Sequence, residues 1–247
     1  MPREGTAVEV KQLRKSFGAQ RVLSGINLKV AYGETLTVLG RSGTGKSVLL
    51  KLIVGLQTPD SGSVTIDGQD IAGLSPRDLN EVRKAIGFLF QHAALYDSLS
   101  VEDNVGFPLQ RHTSMSASER KERVAQLLRQ VGMEEHGRKM PAQISGGMQK
   151  RVALARALAL EPRILLFDEP TTGLDPITAS GIDELILQVQ KRQGNASIVV
   201  THDLHSARTI SDRLILVLEG QAVAEGSYDE LKQSQDEFVS RFMAQAA

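Results

Sequence analysis

Residues 40–47 of the chain read GRSGTGKS, and this segment limits the possible folds more than any other. It lies between a candidate buried strand at 34–39 and a helix-patterned run at 47–54. Glycines let backbone N–H groups turn toward phosphate oxygens, and the N-terminus of a following helix adds positive partial charge. The spacing therefore predicts a phosphate-binding loop, with Lys46 reaching the β- and γ-phosphates and the Ser47 hydroxyl binding Mg²⁺. The residues predicted to bind nucleotide here are Gly40, Ser42, Gly43, Thr44, Gly45, Lys46, Ser47 and Val48.

Strand and helix patterns alternate along the chain. Strands are predicted at 8–13, 23–30, 34–39, 86–90, 163–167, 197–201 and 214–218. Helices are predicted at 47–54, 114–133 and 146–160, with another that holds Ile182, Leu185, Ile186 and Val189. This order favours an α/β fold around a largely parallel, covered sheet. The helix-rich stretch at about 92–160 predicts a second lobe inserted into it.

A second candidate site lies at 164–169, where the sequence reads ILLFDE. A buried apolar strand can end in charged residues only at the rim of its sheet. Together with the phosphate loop, this pattern predicts that Asp168 holds the shell of a Mg²⁺ ion. It also predicts that Glu169 polarises an attacking water. ATP and Mg²⁺ are the cofactors that the two motifs predict.

Composition limits the partners of the chain. The 247 residues include 29 basic and 29 acidic residues and no cysteine, so we expect no nucleic-acid partner and no disulfide. The first residues lack the apolar core of a signal peptide, and the longest apolar runs fall far short of the roughly 20 residues of a membrane span. We therefore expect a cytoplasmic chain that meets a membrane only through a partner.

Residues 144–149 read ISGGMQ, which resembles the LSGGQ signature of the ATP-binding-cassette (ABC) ATPases. The resemblance covers nearly the whole chain. It implies that Ser145, Gly146 and Gly147 close over the γ-phosphate bound to a second copy, so that hydrolysis requires a head-to-tail dimer. Two departures are visible, because Ile144 replaces Leu and Met148 replaces Gln. Both lie outside the Ser-Gly-Gly turn, so we expect anion binding to survive; the departure at position 148 affects only a polar contact of that side chain.

Four further positions match elements of the ABC family in the correct order. The resemblance implies that the ring of Phe17 stacks on adenine and that Gln91 senses Mg²⁺ and the attacking water. It implies that Asp175 belongs to the loop that crosses the dimer interface and that His202 contacts the γ-phosphate. The catalytic set is then Lys46, Gln91, Glu169 and His202, and the metal set is Ser47, Gln91 and Asp168.

The resemblance also implies an architecture. The chain, 1–247, would be a single ABC ATPase domain of the P-loop NTPase class. Residues 1–91 and 161–247 would form a RecA-like catalytic core with an antiparallel β subdomain, and residues 92–160 the helical lobe. In the family, a groove beside the Q-loop receives a short helix of a membrane subunit. The apolar residues of 92–99 suit that role, and they also suit packing inside the lobe.

Residues 87–109, GFLFQHAALYDSLSVEDNVGFPL, are similar to the Q-loop region of the Mla/Mce-type lipid-transport ATPases. This similarity implies a complex that moves phospholipid or a related hydrophobic molecule across the bacterial envelope. Its other members would be a permease, a Mce-type lipid-binding protein and a small accessory subunit, with this chain on the cytoplasmic side of the inner membrane. Two alternatives stay open: the ATPase of another transporter class, such as an amino-acid importer, and a non-transport cassette protein.

Overall fold

The computed structural model describes residues 5–244, except for the side chain of Gln193. Ten strands form two sheets. The strands are β1 Thr6–Phe17, β2 Gln20–Ala31, β3 Thr35–Leu39, β4 Ser61–Ile66, β5 Gln69–Asp70, β6 Ile86–Leu89, β7 Ile164–Asp168, β8 Ala196–Thr201, β9 Arg213–Leu218 and β10 Gln221–Gly226. The helices are α1 Lys46–Ile53, α2 Pro76–Lys84, α3 Val101–His112, α4 Ala117–Gln130, α5 Gly146–Ala157, α6 Pro176–Gln193, α7 Leu204–Ile210, α8 Tyr228–Lys232 and α9 Glu237–Met243.

The larger sheet has the order β10-β9-β3-β8-β7-β6 and is parallel except for the edge strand β10. Every residue of β3, β7 and β8 is buried, as expected for strands covered by helices on both faces. The carboxyl ends of these parallel strands meet at one edge of the sheet, where the loops after them form the candidate site. The prediction of a parallel, covered sheet is confirmed.

The smaller sheet has the order β2-β1-β4-β5, and its strands pair antiparallel. Strands β1 and β2 form a long hairpin, with Phe17 paired to Gln20 near the turn. Buried side chains of this hairpin, such as Val10 and Leu28, join one apolar cluster with Leu36 of β3 and Leu52 of α1. The small sheet therefore packs against strand β3 and helix α1, the two elements that flank the phosphate loop.

The inserted lobe contains α3, α4 and α5. Val105 of α3 and Leu127 of α4 are fully buried in the same apolar cluster as Leu165 and Phe167 of β7. The lobe and the sheet thus share a continuous core. The lobe boundaries at 92–160 stay a prediction.

Helices α2 and α3 are absent from the sequence prediction, as are the short helices α7, α8 and α9. Helix α2 begins after Ser75, whose hydroxyl accepts a hydrogen bond from Asp78 N, and Pro76 occupies its first turn. A Ser-Pro start is a recognisable helix signal. Helix α3 continues through Pro108, a residue that normally argues against a helix interior. No helix among residues 5–244 combines the length and the apolar character that crossing a bilayer requires.

Candidate nucleotide-hydrolysis site

The phosphate loop connects β3 to α1, as the sequence predicts. Gly45, immediately before α1, has φ +91°, and a Cβ there would lie 2.7 Å from Val22 Cγ1. Gly43 also has a positive φ of +83°. Only glycine adopts these dihedrals readily, and at Gly45 only glycine fits the space. The glycine pattern of the loop therefore has a direct structural cause at these two positions.

Lys46, the first residue of α1, is buried, with 5% of its surface exposed. Its Nζ donates to the main-chain oxygens of Gly40, at 2.7 Å, and Arg41, at 3.0 Å. It also lies 3.3 Å from Glu169 Oε1. A buried charge is tolerable only with such partners. The ammonium is thus held in the mouth of the loop, where phosphate oxygens could replace the carbonyl oxygens.

Ser47 and Asp168 meet between α1 and the end of β7. Ser47 Oγ donates to Asp168 Oδ1 at 2.7 Å. Asp168 is buried, and burial raises its pKa above the usual value, although the hydrogen bond from Ser47 acts in the opposite direction. A hydroxyl and a carboxylate side by side are hard oxygen donors that fit Mg²⁺, and a cation would favour the charged carboxylate. Among residues 5–244 no group of three or more His, Cys, Asp or Glu could hold a metal.

Glu169 is the most constrained residue of the site. Its carboxylate contacts Lys46, His202 Nδ1 at 2.9 Å and Thr172 Oγ1 at 2.9 Å. Its backbone lies in the left-handed region, with φ +48°, and its N–H donates to Val200 O at 2.9 Å. Burial raises the pKa of this carboxyl, but His202, Lys46 and Thr172 outweigh it and hold the pKa below the usual value. Glu169 is therefore ionised at neutral pH and able to accept a hydrogen bond from water.

The other predicted site residues of the core lie at or just after the ends of strands β1, β6 and β8. His202 directly follows β8 and contacts Glu169, with 47% of its side chain exposed. Gln91 lies two residues after β6, the strand beside β7. The ring of Phe17 is 47% exposed at the end of β1, with Lys15 Nζ 5.4 Å from its centroid. An exposed ring at this position is compatible with stacking on a base.

The predicted signature turn begins helix α5. Ser145 is the N-cap, and its hydroxyl accepts from Met148 N at 3.3 Å. Ser145 and Gly146 are exposed, whereas Gly147 packs closely against Thr178 of α6. Asp175 caps α6 by accepting from the N–H groups of Ile177 and Thr178. The turn thus lies against the loop that contains Asp175, and its first N–H groups belong to an exposed helix N-terminus.

Several residues that organise the site carry no motif of their own. Asn104 is completely buried and exchanges hydrogen bonds with the backbone of Tyr96, which fixes the loop after β6. Arg156 donates to the main-chain oxygens of Ala93 and Ala94 in the same loop. The sequence offered a signal for Asn104, because the residue lies in the segment 87–109 that is similar to a known Q-loop region. For Arg156 the signal was its position in the segment that follows the signature turn along α5.

The phosphate loop, the Ser47–Asp168 pair and the inserted helical lobe define an α/β P-loop nucleotide-binding protein. The family model described as ABC transporter matches residues 23–172. The chain belongs to the ABC transporter family and is an ATP-binding subunit of that family. It combines the P-loop α/β core and the antiparallel sheet of an ABC nucleotide-binding domain.

Similar proteins support this assignment. The chain is 42% identical over 236 residues to the intermembrane phospholipid transport system ATP-binding protein MlaF of Haemophilus influenzae, covering 96% of this chain and 89% of that one. It is 41% identical over 239 residues to the probable ribonucleotide transport ATP-binding protein mkl of Mycobacterium leprae, covering 97% and 69%. The dimeric post-hydrolysis structure of the ATP-binding cassette MJ0796, bound to ADP and Pi, has a TM-score of 0.83 and 36% identity, covering 89% of this chain and 98% of that one.

Proposed function

We propose that the chain is the ATP-hydrolysing subunit of a transporter that moves phospholipid or a related hydrophobic molecule across the bacterial envelope. The observation that carries the hydrolytic part is the geometry of Glu169, an ionised carboxylate held between Lys46 and His202 beside the Ser47–Asp168 pair. The site residues and their roles, as well as the lobe boundaries, are parts of this proposal.

The proposed reaction converts ATP and water to ADP and phosphate. Lys46 and the N–H groups of the loop bind the β- and γ-phosphates, and Phe17 stacks on the adenine. Glu169 orients the attacking water and accepts its hydrogen bond, while His202 contacts the γ-phosphate. Ser47, Asp168 and Gln91 would hold Mg²⁺, which offsets the charge of the phosphate oxygens.

A second copy completes the site in this proposal. The partner subunit's Ser145 and the two glycines after it present helix N–H groups to the γ-phosphate, as anions favour a helix N-terminus. The exposure of Ser145 and Gly146 supports this, because these groups are open to another chain. The position of Asp175 beside the turn suits a loop that crosses the same interface. Solved structures of similar cassettes are dimeric, which supports the pairing of two copies.

The proposed permease contact is a groove of about 430 Å³ between the sheet edge and the lobe. Aromatic side chains line it, among them Phe90, Tyr96 and Phe107. Of the residues 92–99, Ala93 is buried and Leu95 packs against the lobe core, whereas Ala94 and Tyr96 are exposed in the groove. The segment therefore serves lobe packing and also leaves apolar surface for a short helix of a membrane partner.

The lipid part of the proposal rests on similarity. Both the segment 87–109 and the 42% identity with MlaF point to the same group of transporters. The alternative is a small-molecule transporter, which the similarity to the mkl protein favours. The permease, a Mce-type lipid-binding protein and a small accessory subunit are the proposed partners, at the cytoplasmic side of the inner membrane.

Affinity purification of the tagged full chain from detergent-solubilised membranes tests the proposal. We expect an integral membrane protein and bound phospholipid to co-purify. A Tyr96→Glu variant should lose both, because a charge enters the groove, whereas Val223→Glu, at an exposed apolar residue of β10, should retain both. Recovery with ribosomes and without a membrane protein would contradict the transporter function. ATPase activity of the purified complex that responds to small polar solutes and not to phospholipid vesicles would contradict the lipid assignment.

A further inference from the structure

Lys150 lies on helix α5, three residues after the signature glycines. Its side chain extends from the lobe to the residue that follows strand β7. The residue is 4% exposed. Its Nζ donates to the main-chain oxygen of Glu169 at 3.0 Å. A basic residue of the lobe therefore ends on the backbone of the residue that carries the candidate catalytic carboxylate.

The backbone of Glu169 needs this support more than an ordinary residue would. A non-glycine residue with φ +48° is uncommon and costs free energy, so the surrounding structure must hold it in place. Two hydrogen bonds do so from opposite sides. The N–H of Glu169 donates to Val200 O in the sheet, and its carbonyl accepts from Lys150 in the lobe.

The environment of Lys150 agrees with a positional role. Burial lowers the pKa of Lys150 to about 8, although the negative charges of Asp168 and Glu169 favour its charged form. A buried ammonium is costly unless its protons have acceptors, and the Glu169 carbonyl is such an acceptor. An apolar side chain would fill this space without that cost, but it would leave the carbonyl without its donor.

The same helix also holds the loop beside the groove. Arg156 Nη1 donates to Ala94 O at 2.7 Å and Nη2 to Ala93 O at 2.8 Å. Both alanines have positive φ, +58° at Ala93 and +49° at Ala94. Helix α5 therefore supports two left-handed backbone segments, one at Glu169 and one in the loop that follows Gln91.

We propose that Lys150 is a positioning residue that holds the main chain of Glu169 so that its carboxylate points at the attacking water. The hydrolytic geometry then depends on the position of helix α5, and through Arg156 on the loop at the groove. This inference rests on the proposed role of Glu169 in hydrolysis and requires no particular transported molecule.

Steady-state ATPase kinetics of the purified full chain test the inference. Lys150→Met removes the donor and keeps the length of the side chain. We expect kcat to fall on the order of 10-fold to 100-fold, because a small displacement of a catalytic group has such effects. The KM for ATP should stay within about twofold, since no phosphate contact is changed. Lys150→Arg, which can still donate to the carbonyl, should recover most of the rate.

Arg151→Met is the matched control. Arg151 lies on the same helix and also donates to a main-chain oxygen, that of Val131 at 3.0 Å, but this acceptor belongs to the lobe. We expect its kcat to equal that of the wild type. Equal kcat in Lys150→Met and wild type would overturn the inference, as would a Lys150→Arg variant as slow as Lys150→Met or an equally slow Arg151→Met.

Near-UV circular dichroism and ATP binding establish that each variant is folded. If Lys150→Met does not fold, Lys150→Gln decides in the same assays, because its shorter amide should not reach Glu169 and should give the same low kcat. Failure of the lipid or permease proposal would appear in the co-purification experiment and leave these rates unchanged. The two proposals can therefore fail separately.

Discussion

The phosphate edge of the core and the signature turn of the lobe are both candidate anion sites, but they are built differently. In the core, Lys46, Asp168 and Glu169 are buried. Lys46 contacts Glu169 and the loop backbone, and Asp168 accepts a hydrogen bond from Ser47. In the lobe, Ser145 and Gly146 are exposed, and the Ser145 hydroxyl caps its own helix. The first site is assembled within one chain, whereas the second presents N–H groups outward.

Charge explains the difference. Buried ionised groups must be paired, so the core site forms only together with its partners. The signature turn contains no charged side chain and relies on the partial charge of a helix N-terminus, which tolerates exposure to water. One chain can therefore present an exposed anion site of this kind without a large cost in stability.

The largest expected effect concerns the site in the core. Glu169→Gln should retain ATP binding but lower turnover by roughly 10²–10⁴-fold, because an amide cannot take over the role of the carboxylate toward water. An ATP-bound dimer should accumulate, measurable by size-exclusion chromatography with light scattering. Glu184→Gln, at an exposed acid of α6, is the control and should hydrolyse ATP at the normal rate. Normal steady-state turnover in Glu169→Gln would remove this residue from the catalytic set.

A pair of variants distinguishes the role of the signature turn from that of the phosphate loop. Ser145→Arg should lower turnover on the order of 100-fold, because the side chain blocks the approach of the second copy. Its ATP affinity should change by less than about threefold, since the phosphate loop is intact. Lys46→Ala should instead lose ATP binding itself. Titration with a fluorescent ATP analogue measures both, and loss of binding in Ser145→Arg would mean that the turn contributes to the site of its own chain.

Two glycine variants compare how strongly the phosphate loop and the signature turn depend on glycine for the stability of the fold. Gly45→Ala should lower the free energy of unfolding by about 1–3 kcal/mol, because its φ is +91° and the new methyl would meet Val22. Gly146→Ala should change it by less than about 0.5 kcal/mol, because the nearest atom to a Cβ there is 3.9 Å away. Urea denaturation of both variants provides the measurement. Equal losses would contradict the view that Gly45 is more constrained than Gly146.

The smallest effect concerns a buried carboxyl behind the site. Asp183 of α6 accepts from Ser206 Oγ, and Ser206 Oγ also lies 3.2 Å from Thr171 Oγ1. Burial raises the pKa of Asp183 from 3.8 to about 6, with the charge of Asp203 acting in the same direction. The folded protein therefore holds this proton more tightly, and the stability it contributes below pH 4 is lost as pH rises through about 6.

Thermal unfolding of Asp183→Asn and wild type between pH 4 and 7 measures this contribution. We expect the wild type to lose on the order of 2 kcal/mol relative to the variant across that window, because the variant cannot titrate. A difference that does not change with pH would show that Asp183 is ionised throughout. In that case the stability of the folded protein would not depend on protonation of Asp183.

The sequence alone determined the phosphate loop, the paired acids, the signature turn and the parallel sheet. Each depends on a local pattern, such as the glycine spacing at 40–47 or the apolar run at 164–167, so neighbouring residues suffice to identify it. The boundaries agree within a few residues, as at β7, predicted at 163–167 and observed at Ile164–Asp168. Helix α3 was missed because the local rule for Pro108 was outweighed by the packing of Val105 and Leu109 in the core.

Only the tertiary structure decided which residues hold the site in place. Lys150 reaches the Glu169 carbonyl across 19 residues, and Arg156 reaches those of Ala93 and Ala94 across more than 60. The acceptors are main-chain oxygens, which every residue has, so no pattern of side chains marks them. The chemistry of hydrolysis is encoded in residue types, which a sequence displays. The orientation of Glu169 depends on long-range backbone contacts that exist only once the lobe is packed on the sheet.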